Sequence, residues 1–371
     1  DLVRSRGLGD VYKRQEGERR EGLYHKIKII EFNPSSRQHI AKRLRELRGW
    51  KPEEFTPSGE VKIDENVLKK LDYPEAQLMS EYLMLNKRIG QLAEGDQAWL
   101  KLVKAGRLHG RVNSMGAQTS RCSHSQPNMA QIPNFHAPFG RECRELFESD
   151  KGKKLLGVDV SGLELRCLSH YMAGYDDGAY GKRLLEEDIH TVNQEAAELA
   201  TRDQAKTFVY AFLYGAGDQK IGEIVGKGRK EGKNLKKKFL KELPALKTLK
   251  TTVQDKAKKK GYLKGLDGRR VPVRSQHAAL NTLLQSAGAI ICKQWVVEIH
   301  SLLEKEGFKR GQDFHQVAFV HDEVQLSVKT EYAEQIGELC VQAIGNTGKN
   351  YGLRVPLTGE FRIGHNWSET H

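Results

Sequence analysis

The amino-acid sequence predicts an α+β protein of more than one domain, and the order of its patterns leads to this class. Helical periods dominate residues 65–103 and again residues 188–260. A Gly-, Ser-, Asn- and Pro-rich stretch over 108–133 and strand patterns at 155–160 and 316–328 separate and follow these blocks. The order helical, mixed, helical, mixed favours a β-containing unit interrupted by a helical insertion.

The separate elements follow from their residues. The first helical block places its apolar residues on one stripe, namely Leu78, Tyr82, Leu85, Ile89 and Leu92. The run LLGVDV predicts a buried strand that leads into a helix beginning near Ser161. Residues 278–306 predict a further long helix, and residues 316–328 predict a hairpin whose turn contains His321, Asp322 and Glu323.

Charge is concentrated in one stretch of the chain. The 371 residues contain 61 Lys and Arg against 48 Asp and Glu, a net charge of +13. Residues 227–260 carry 14 basic and 3 acidic residues, which is +11 of that total. Such a stretch is either a solvated helix face or a surface that follows a nucleic-acid backbone, and the overall basic balance favours a polyanionic partner.

Composition also excludes several classes of protein. The five cysteines are odd in number and form no C-x-x-C pair, which argues against a disulfide framework and a zinc site. No apolar run is long enough to span a membrane and no secretion signal is present, so we expect a cytoplasmic protein. Residues 1–22 show no helical or strand period, and we interpret them as a non-native or disordered leader.

Two carboxylates are the strongest candidates for chemistry. Asp159 ends the apolar strand, and Asp322 lies at the tip of the predicted hairpin more than 160 positions later. Two carboxylates that rigid β-elements bring together can hold a pair of divalent cations about 4 Å apart, the arrangement that serves phosphoryl transfer. A lone Asp at a strand end is more often a cap or a turn residue.

A helix over residues 201–215 carries a second candidate site. Thr201 and Gln204 predict a capping box at its start, and Gly215 occupies the place of a left-handed terminator. Beside the apolar face, one ridge carries two cations and then two aromatic side chains, namely Arg202, Lys206, Tyr210 and Tyr214. This ridge could bind a triphosphate and stack a base, although taken alone an exposed helix face would be the more ordinary interpretation.

The segments DVSGLELR, RDQAKTFVYAFLYG and VHDE, in this order and spacing, closely resemble the three polymerase motifs of the DNA polymerase I family, family A. HGRVNSMGAQTSRCSHSQPNMAQIP, GLDGRRVPVRSQHAALNTLLQSAG and the terminal GHNWSETH resemble the podophage replicative branch, so the similarity extends from about Glu31 to His371. The resemblance implies a right-hand polymerase with an antiparallel-sheet palm, helical fingers and a partial helical thumb. The implied boundaries are 23–105 for the partial thumb and palm entry, 106–170 and 279–371 for the palm, and 171–278 for the fingers.

The resemblance also implies roles for the candidate residues. Asp159 and Asp322, with the backbone carbonyl of Val160, would hold two Mg²⁺ ions, and Glu323 is a weaker candidate. The implied nucleotide-binding residues are Arg202, Lys206, Tyr210, His190, Glu164 and Tyr214. Lys206 would also protonate the departing pyrophosphate and is therefore counted as catalytic together with the two aspartates. The implied DNA-binding residues are Arg121, Asn281, Gln285 and His321.

Two of these residues lead to expectations about substrate choice. In the family, a Glu at the position of Glu164 blocks a ribose 2′-hydroxyl, but Ser161 and Glu164 also match a capping box, so Glu164 could simply satisfy a helix end. A Tyr at the position of Tyr210 is associated with ready acceptance of dideoxynucleotides. Arg121, Asn281 and Gln285 would test pairing at the minor-groove acceptors that all correct base pairs share.

The expected partners are primer–template DNA and dNTPs, and we expect a monomer. In the intact protein, a phage helicase or a host processivity factor would be a further partner. The resemblance also implies a proofreading exonuclease, the first part of the thumb and, in some phage enzymes, an insertion that recruits such a factor, and none of these fits in the residues before Glu31. We therefore expect no 3′ to 5′ exonuclease activity and weak, distributive synthesis. The alternatives are a single-subunit RNA polymerase, a truncated DNA-binding fragment with weak catalysis and, least favoured, a two-metal nuclease.

Overall fold

The computed structural model describes residues 30–56 and 58–371 in full. Ahead of them it describes the backbone of four short strands, β1 Leu2–Gly7, β2 Tyr12–Lys13, β3 Arg19–Arg20 and β4 Tyr24–Ile29. The leader predicted over residues 1–22 falls for the most part outside the described residues, and its origin stays a prediction. The chain divides into two compact units, residues 1–108 and 109–371.

After β4, the first unit is mainly helical. Its helices are α1 Arg37–Arg48, α2 Glu65–Lys69, α3 Pro74–Ile89 and α4 Trp99–Leu102. Proline at the first position of α3 explains why the predicted helical block begins as two helices rather than one. The apolar stripe of α3 is largely exposed, with Leu78 68% accessible, whereas Ala76 and Ser80 are buried.

The second unit contains ten helices and eight strands in the part of the chain that the structure describes. The helices are α5 Gly140–Glu145, α6 Leu163–Asp176, α7 Ala179–Glu186, α8 Ile189–Ala197, α9 Arg202–Leu213, α10 Asp218–Glu223, α11 Arg229–Glu242, α12 Pro244–Lys260, α13 Ala279–Lys305 and α14 Ala333–Asn350. The strands are β5 Arg111–Asn113, β6 Ser123–Ser125, β7 Lys153–Val160, β8 Tyr262–Lys264, β9 Arg270–Pro272, β10 Phe314–Val320, β11 Glu323–Lys329 and β12 Gly359–Gly364.

A four-stranded antiparallel sheet lies at the centre of this unit, in the order β10-β11-β7-β12. Helices α13 and α14 pack together beside it, and the fully buried Trp295 of α13 donates its indole N–H to the Cys340 carbonyl of α14 at 3.0 Å. Strand β7 is separated from β10 and β11 by the helices α6 to α13. The predicted α+β class and its interrupted order are therefore confirmed.

The helical insertion is built on amphipathic helices. Helix α9 begins after Thr201 and is followed by Gly215 at φ +76°, and its predicted apolar face, Ala205, Phe208, Val209 and Phe212, is buried. Helices α11 and α12 carry the basic stretch on their outer faces while residues such as Phe239 are buried, with the Phe239 ring 5.1 Å from that of Phe208. No helix in the described part of the chain is both long and apolar enough to cross a membrane.

Candidate functional site

The two candidate aspartates lie at neighbouring strand ends, Asp159 near the end of β7 and Asp322 in the turn that leads into β11. Strand β11 pairs with β7 so that Glu323 is opposite Asp159, and the N–H of Val160 donates to the carbonyl of Asp322 at 3.2 Å. Adjacent strands are about 5 Å apart, so the sheet brings the two carboxylates, distant in sequence, to one place. The turn that carries Asp322 requires His321 to adopt φ +60°, the left-handed region that few non-glycine residues enter.

The electrostatics of the pair fit a site for cations. Burial and the charges of Asp322 and Glu323 raise the pKa of Asp159 to about 7, and burial and the charge of Glu164 raise the pKa of Asp322 to about 6. Asp159 is open to solvent on one side, so water screens part of this effect. Among the described residues neither carboxylate has a basic partner in an ion pair, so a bound cation would relieve their repulsion.

Two carboxylates alone do not complete a metal site. Within the described ranges, no group of three or more His, Cys, Asp and Glu side chains is placed to hold a metal ion. Val160 is the last residue of β7, beside both aspartates, where its main chain could supply a further oxygen. Oxygen donors of this kind suit hard cations such as Mg²⁺, which keeps several waters of its own.

Glu323 is held by other partners. Burial would raise its pKa, but hydrogen bonds and the ion pair with His371, together with hydrogen bonds from Gln325 and Trp367, outweigh this and lower it. The Trp367 indole donates at 2.6 Å and His371 Nδ1 lies 3.4 Å away. These contacts would compete with a metal ion for the Glu323 carboxylate, which agrees with the prediction that Glu323 is a weaker candidate ligand.

Tyr210, on the ridge of α9, lies near the candidate carboxylates. Burial and the negative charges of Glu164, Asp322 and Asp159 raise the pKa of Tyr210 to about 12, so this hydroxyl lies within their field and stays protonated at neutral pH. Thr201 accepts the Gln204 N–H at 3.2 Å and therefore caps the helix as predicted. The Gln204 side-chain oxygen is buried without a partner, so the reciprocal half of the predicted capping box is not formed.

His190 lies close to Arg202, the first residue of the ridge. No sequence pattern pointed to Asp188, the residue that contacts both. Asp188 accepts the Arg202 Nε–H at 2.5 Å and the backbone N–H of His190 at 2.9 Å. The His190 ring is 6.3 Å from that of Tyr210. Burial and the charges of Arg202 and Lys206 lower the pKa of His190, and its Nδ1 is buried without a partner. The structure thus brings these predicted residues together.

Glu164 connects α6 to α9. Its Oε1 accepts a hydrogen bond from the Tyr214 hydroxyl at 2.7 Å and lies 3.4 Å from Arg121 Nη2. The predicted capping box with Ser161 is wrong, because Gly162, at φ +59°, occupies the N-cap position before α6 and no side chain caps the helix. The Glu164 carboxylate is therefore free of the helix end and points to residues of the site.

The remaining candidates surround this junction. The Asn281 amide approaches the Tyr214 carbonyl at 3.4 Å, and Gln285 follows one turn later on the same face of α13. Burial and the positive charge of Arg121 and of His124 lower the pKa of His321. His124 of β6 was missed by the sequence interpretation, and its Nε2 is buried without a partner. An unpaired buried nitrogen of this kind is a signal that only the structure provides.

Comparisons with known proteins bear on the family and the fold of the chain. Residues 8–369 match the profile of DNA polymerase family A, a range that begins ahead of Glu31. The chain is 47% identical to the DNA-directed DNA polymerases of Enterobacteria phage T3 and Escherichia phage T7, over 94% of this chain and 54% of each relative. It therefore spans about half the length of these relatives.

A solved structure has the same fold. It is the POL domain of Pol1 from M. smegmatis in complex with DNA primer-template and dNTP. That domain is 22% identical in sequence, with a TM-score of 0.79, and the match covers 91% of this chain and 62% of the other. At this identity the likeness bears on the fold alone.

Proposed function

The chain belongs to DNA polymerase family A, and we propose that it adds deoxynucleotides to a primer 3′-hydroxyl under the direction of a DNA template. In this reaction the 3′-oxygen bonds to the α-phosphorus of a dNTP while the bond to pyrophosphate breaks. The observation that carries the proposal is the placement of Asp159 on β7 next to Asp322, in the turn that leads into the neighbouring strand β11, where the charges of both carboxylates act on Tyr210 of α9. A nuclease would have no need for the ridge of α9.

Members of the family use divalent metal ions. Asp159, Asp322 and the Val160 carbonyl would hold two Mg²⁺ ions, which supply charge neutralisation for the attacking and departing oxygens. The protein contributes the placement of the carboxylates and their unneutralised charge. The raised pKa values of about 7 and about 6 imply that protons compete with the cations in mildly acidic solution.

Arg202, Lys206 and His190 form the proposed triphosphate site. Arg202 is half exposed and paired with Asp188, and a triphosphate would offer it several acceptors in place of one carboxylate. Lys206 is exposed on the same ridge one turn later, where its ammonium can donate a proton to the departing pyrophosphate. The unpartnered Nδ1 of His190 supports a role for this residue in binding an anion.

Glu164 and the residues around it would select the substrate. The Glu164 carboxylate, 14% exposed, would occupy the space that a ribose 2′-hydroxyl needs. Arg121, Asn281 and Gln285 would donate to the minor-groove acceptors at the primer end, which test pairing geometry without reading sequence. Tyr214 would stack at the templating position, Tyr210 would meet the sugar, and His321 would contact the primer end.

The activity of a complete polymerase is a further step, because the chain matches only 54% of its phage relatives. We infer that primer–template DNA and dNTPs are its partners. A helicase or a processivity factor, a monomeric state, the absence of exonuclease activity and the thumb, palm and fingers boundaries stay predictions.

Single-nucleotide addition to a labelled hairpin primer in Mg²⁺ at low salt tests the proposal. We expect extension by the parent chain and none by Asp322→Asn. Binding of the hairpin without extension by the parent would instead favour a DNA-binding fragment, and cleavage of the strand would favour a nuclease. Addition of ribonucleotides as readily as deoxynucleotides would contradict the assignment of Glu164.

A further inference from the structure

The loop between β5 and β6 is fixed by side chains from two other elements. Lys293 of α13 donates to the Ser114 carbonyl, and the Gln118 amide of the loop donates to the Pro272 carbonyl of β9. Arg269, in the turn between β8 and β9, donates from Nη1 to the Ser120 hydroxyl at 2.5 Å. Arg121 lies near the end of this loop and directly follows Ser120, so these contacts are next in sequence to one of the proposed DNA-binding residues.

Ser120 has an unusual conformation. It is 3% exposed and adopts φ +65°, the left-handed region that costs a residue with a Cβ atom. Its N–H donates to the Ala117 carbonyl at 2.8 Å, and the Ala117 N–H donates to the Arg121 carbonyl at 3.1 Å. A serine stays in this region only when the contacts around it hold it there. The backbone of Ser120 sets the direction in which the chain continues into Arg121.

Arg269 is itself held in place. Its Nε donates to Asp267 at 2.6 Å while Nη1 donates to Ser120, so the planar guanidinium is fixed from two sides. Arg121 reaches Glu164 at 3.4 Å, near the long end of the hydrogen-bond range. A small displacement of Ser120 is therefore enough to break that contact and to move the Arg121 guanidinium.

We propose that Arg269 is a positioning residue, which acts through Ser120 to place Arg121 at the minor groove of the primer end. This rests on the proposed function. Arg121 gains its hydrogen bond only when the terminal pair has correct geometry, so misplacing it costs the matched primer end more than the mismatched one. Arg269 thereby contributes to discrimination between correct and incorrect pairs without touching DNA.

Steady-state kinetics on matched and mismatched primer ends test this. We expect Arg269→Ala and Ser120→Ala each to lower kcat/KM on the matched end roughly tenfold, the effect of removing a charge-assisted hydrogen bond, and to change it less on the mismatched end. Arg121→Ala together with Arg269→Ala should be no worse than Arg121→Ala alone. Arg270→Ala is the matched control, because Arg270 packs over the Tyr262 ring at 5.0 Å and should leave both values unchanged.

Multiplying effects of the Arg121 and Arg269 replacements, or equal reductions on both primer ends, would overturn the proposal. Ser120→Ala removes only a hydroxyl, so it serves even if Arg269→Ala unfolds. Amide hydrogen exchange over residues 113–121 gives a readout independent of polymerisation, and we expect faster exchange in Arg269→Ala than in Arg270→Ala. Equal exchange in Arg269→Ala and Arg270→Ala would refute the positioning role, whether or not the parent extends a primer. Faster exchange in Arg269→Ala, together with a parent that extends no primer, would refute only the proposed function.

Discussion

The hydroxyl of Tyr214 donates a 2.7 Å hydrogen bond to Glu164, which joins the end of α9 to the first turn of α6. The same carboxylate oxygen lies 3.4 Å from Arg121. Its charge also contributes to raising the pKa of Tyr210 and of Asp322. One carboxylate therefore couples the proposed templating residue, the proposed minor-groove donor and the candidate metal site, which makes Glu164 the most informative position to change.

Replacing Glu164 should relax the choice of sugar. Glu164→Ala opens the space of the side chain, so we expect incorporation of ribonucleotides relative to deoxynucleotides to rise between about 10- and 200-fold, the range for one steric misfit. Glu164→Gln is the matched control, because it keeps the size and can still accept from Tyr214. The ratio of kcat/KM for the two nucleotides measures this, and an equal rise in both variants would mean that charge rather than size excludes the 2′-hydroxyl.

The Tyr210 hydroxyl should decide how the chain treats dideoxynucleotides. Its pKa of about 12 keeps it protonated, so it can donate a hydrogen bond in place of a missing 3′-hydroxyl. We expect Tyr210→Phe to lower the dideoxy-to-deoxy incorporation ratio by about 10- to 100-fold, corresponding to one hydrogen bond in a charged site. An unchanged ratio would show that this hydroxyl plays no part.

Local sequence signals predicted the elements that carry the site. Thr201 and Gly215 marked both ends of α9, and the apolar run before Asp159 predicted β7, because caps and periodicity depend on neighbours in sequence. The pairing of Asp188 with Arg202 joins residues 14 apart, and the Tyr214–Glu164 contact joins residues 50 apart. No local pattern encodes such contacts.

The wrong prediction at Ser161 has the same origin, and the burial of α3 shows the same limit of local patterns. The Ser161–Glu164 spacing matches a capping box, but Gly162, in the left-handed region, takes the N-cap position before α6 instead of Ser161, so the spacing alone misled. The stripe of α3 has the period of a buried face, yet Leu78 is exposed while Ala76 is buried. Periodicity identifies a helix, but which of its faces is covered depends on the elements that pack against it.

The charge of Asp322 should lower the free energy of unfolding, although we expect the carboxylate to be required for activity. Folding raises its pKa from 3.8 to about 6, so the folded chain binds more protons than the unfolded chain in this window and loses stability as the pH rises through it. In the absence of divalent cations, Asp322→Asn should therefore be more stable than the parent at pH 8, by about 1–2 kcal/mol after allowance for screening.

The comparison needs thermal or urea unfolding in EDTA at pH 8 and at about pH 3, below both pKa values of Asp322, where the difference should largely disappear. Primer extension by Asp322→Asn should fall roughly a thousandfold or more, because a ligand for the proposed cations is removed. A variant that is both inactive and destabilised at pH 8 would contradict the electrostatic origin of the effect.

The basic stretch should determine how salt affects DNA binding. Some of its lysines have structural partners, since Lys236 pairs with Asp218 at 2.9 Å and Lys238 with Glu198. The last turn of α12 instead exposes three consecutive lysines, Lys258, Lys259 and Lys260. If they bind phosphates, replacing all three with Gln should reduce the slope of log Kd against log salt by about 0.9 for each phosphate that is no longer neutralised.

Equilibrium binding of a primer–template from 50 to 200 mM salt measures this slope, and a matched triple variant provides the control. Lys305, Lys309 and Lys349 are exposed outside the basic stretch, and their replacement with Gln removes the same total charge. We expect the control to weaken binding little, because exposed charges beyond a Debye length of about 10 Å are screened. Equal effects of the two variants would mean that net charge acts from a distance and that these lysines form a solvated helix face.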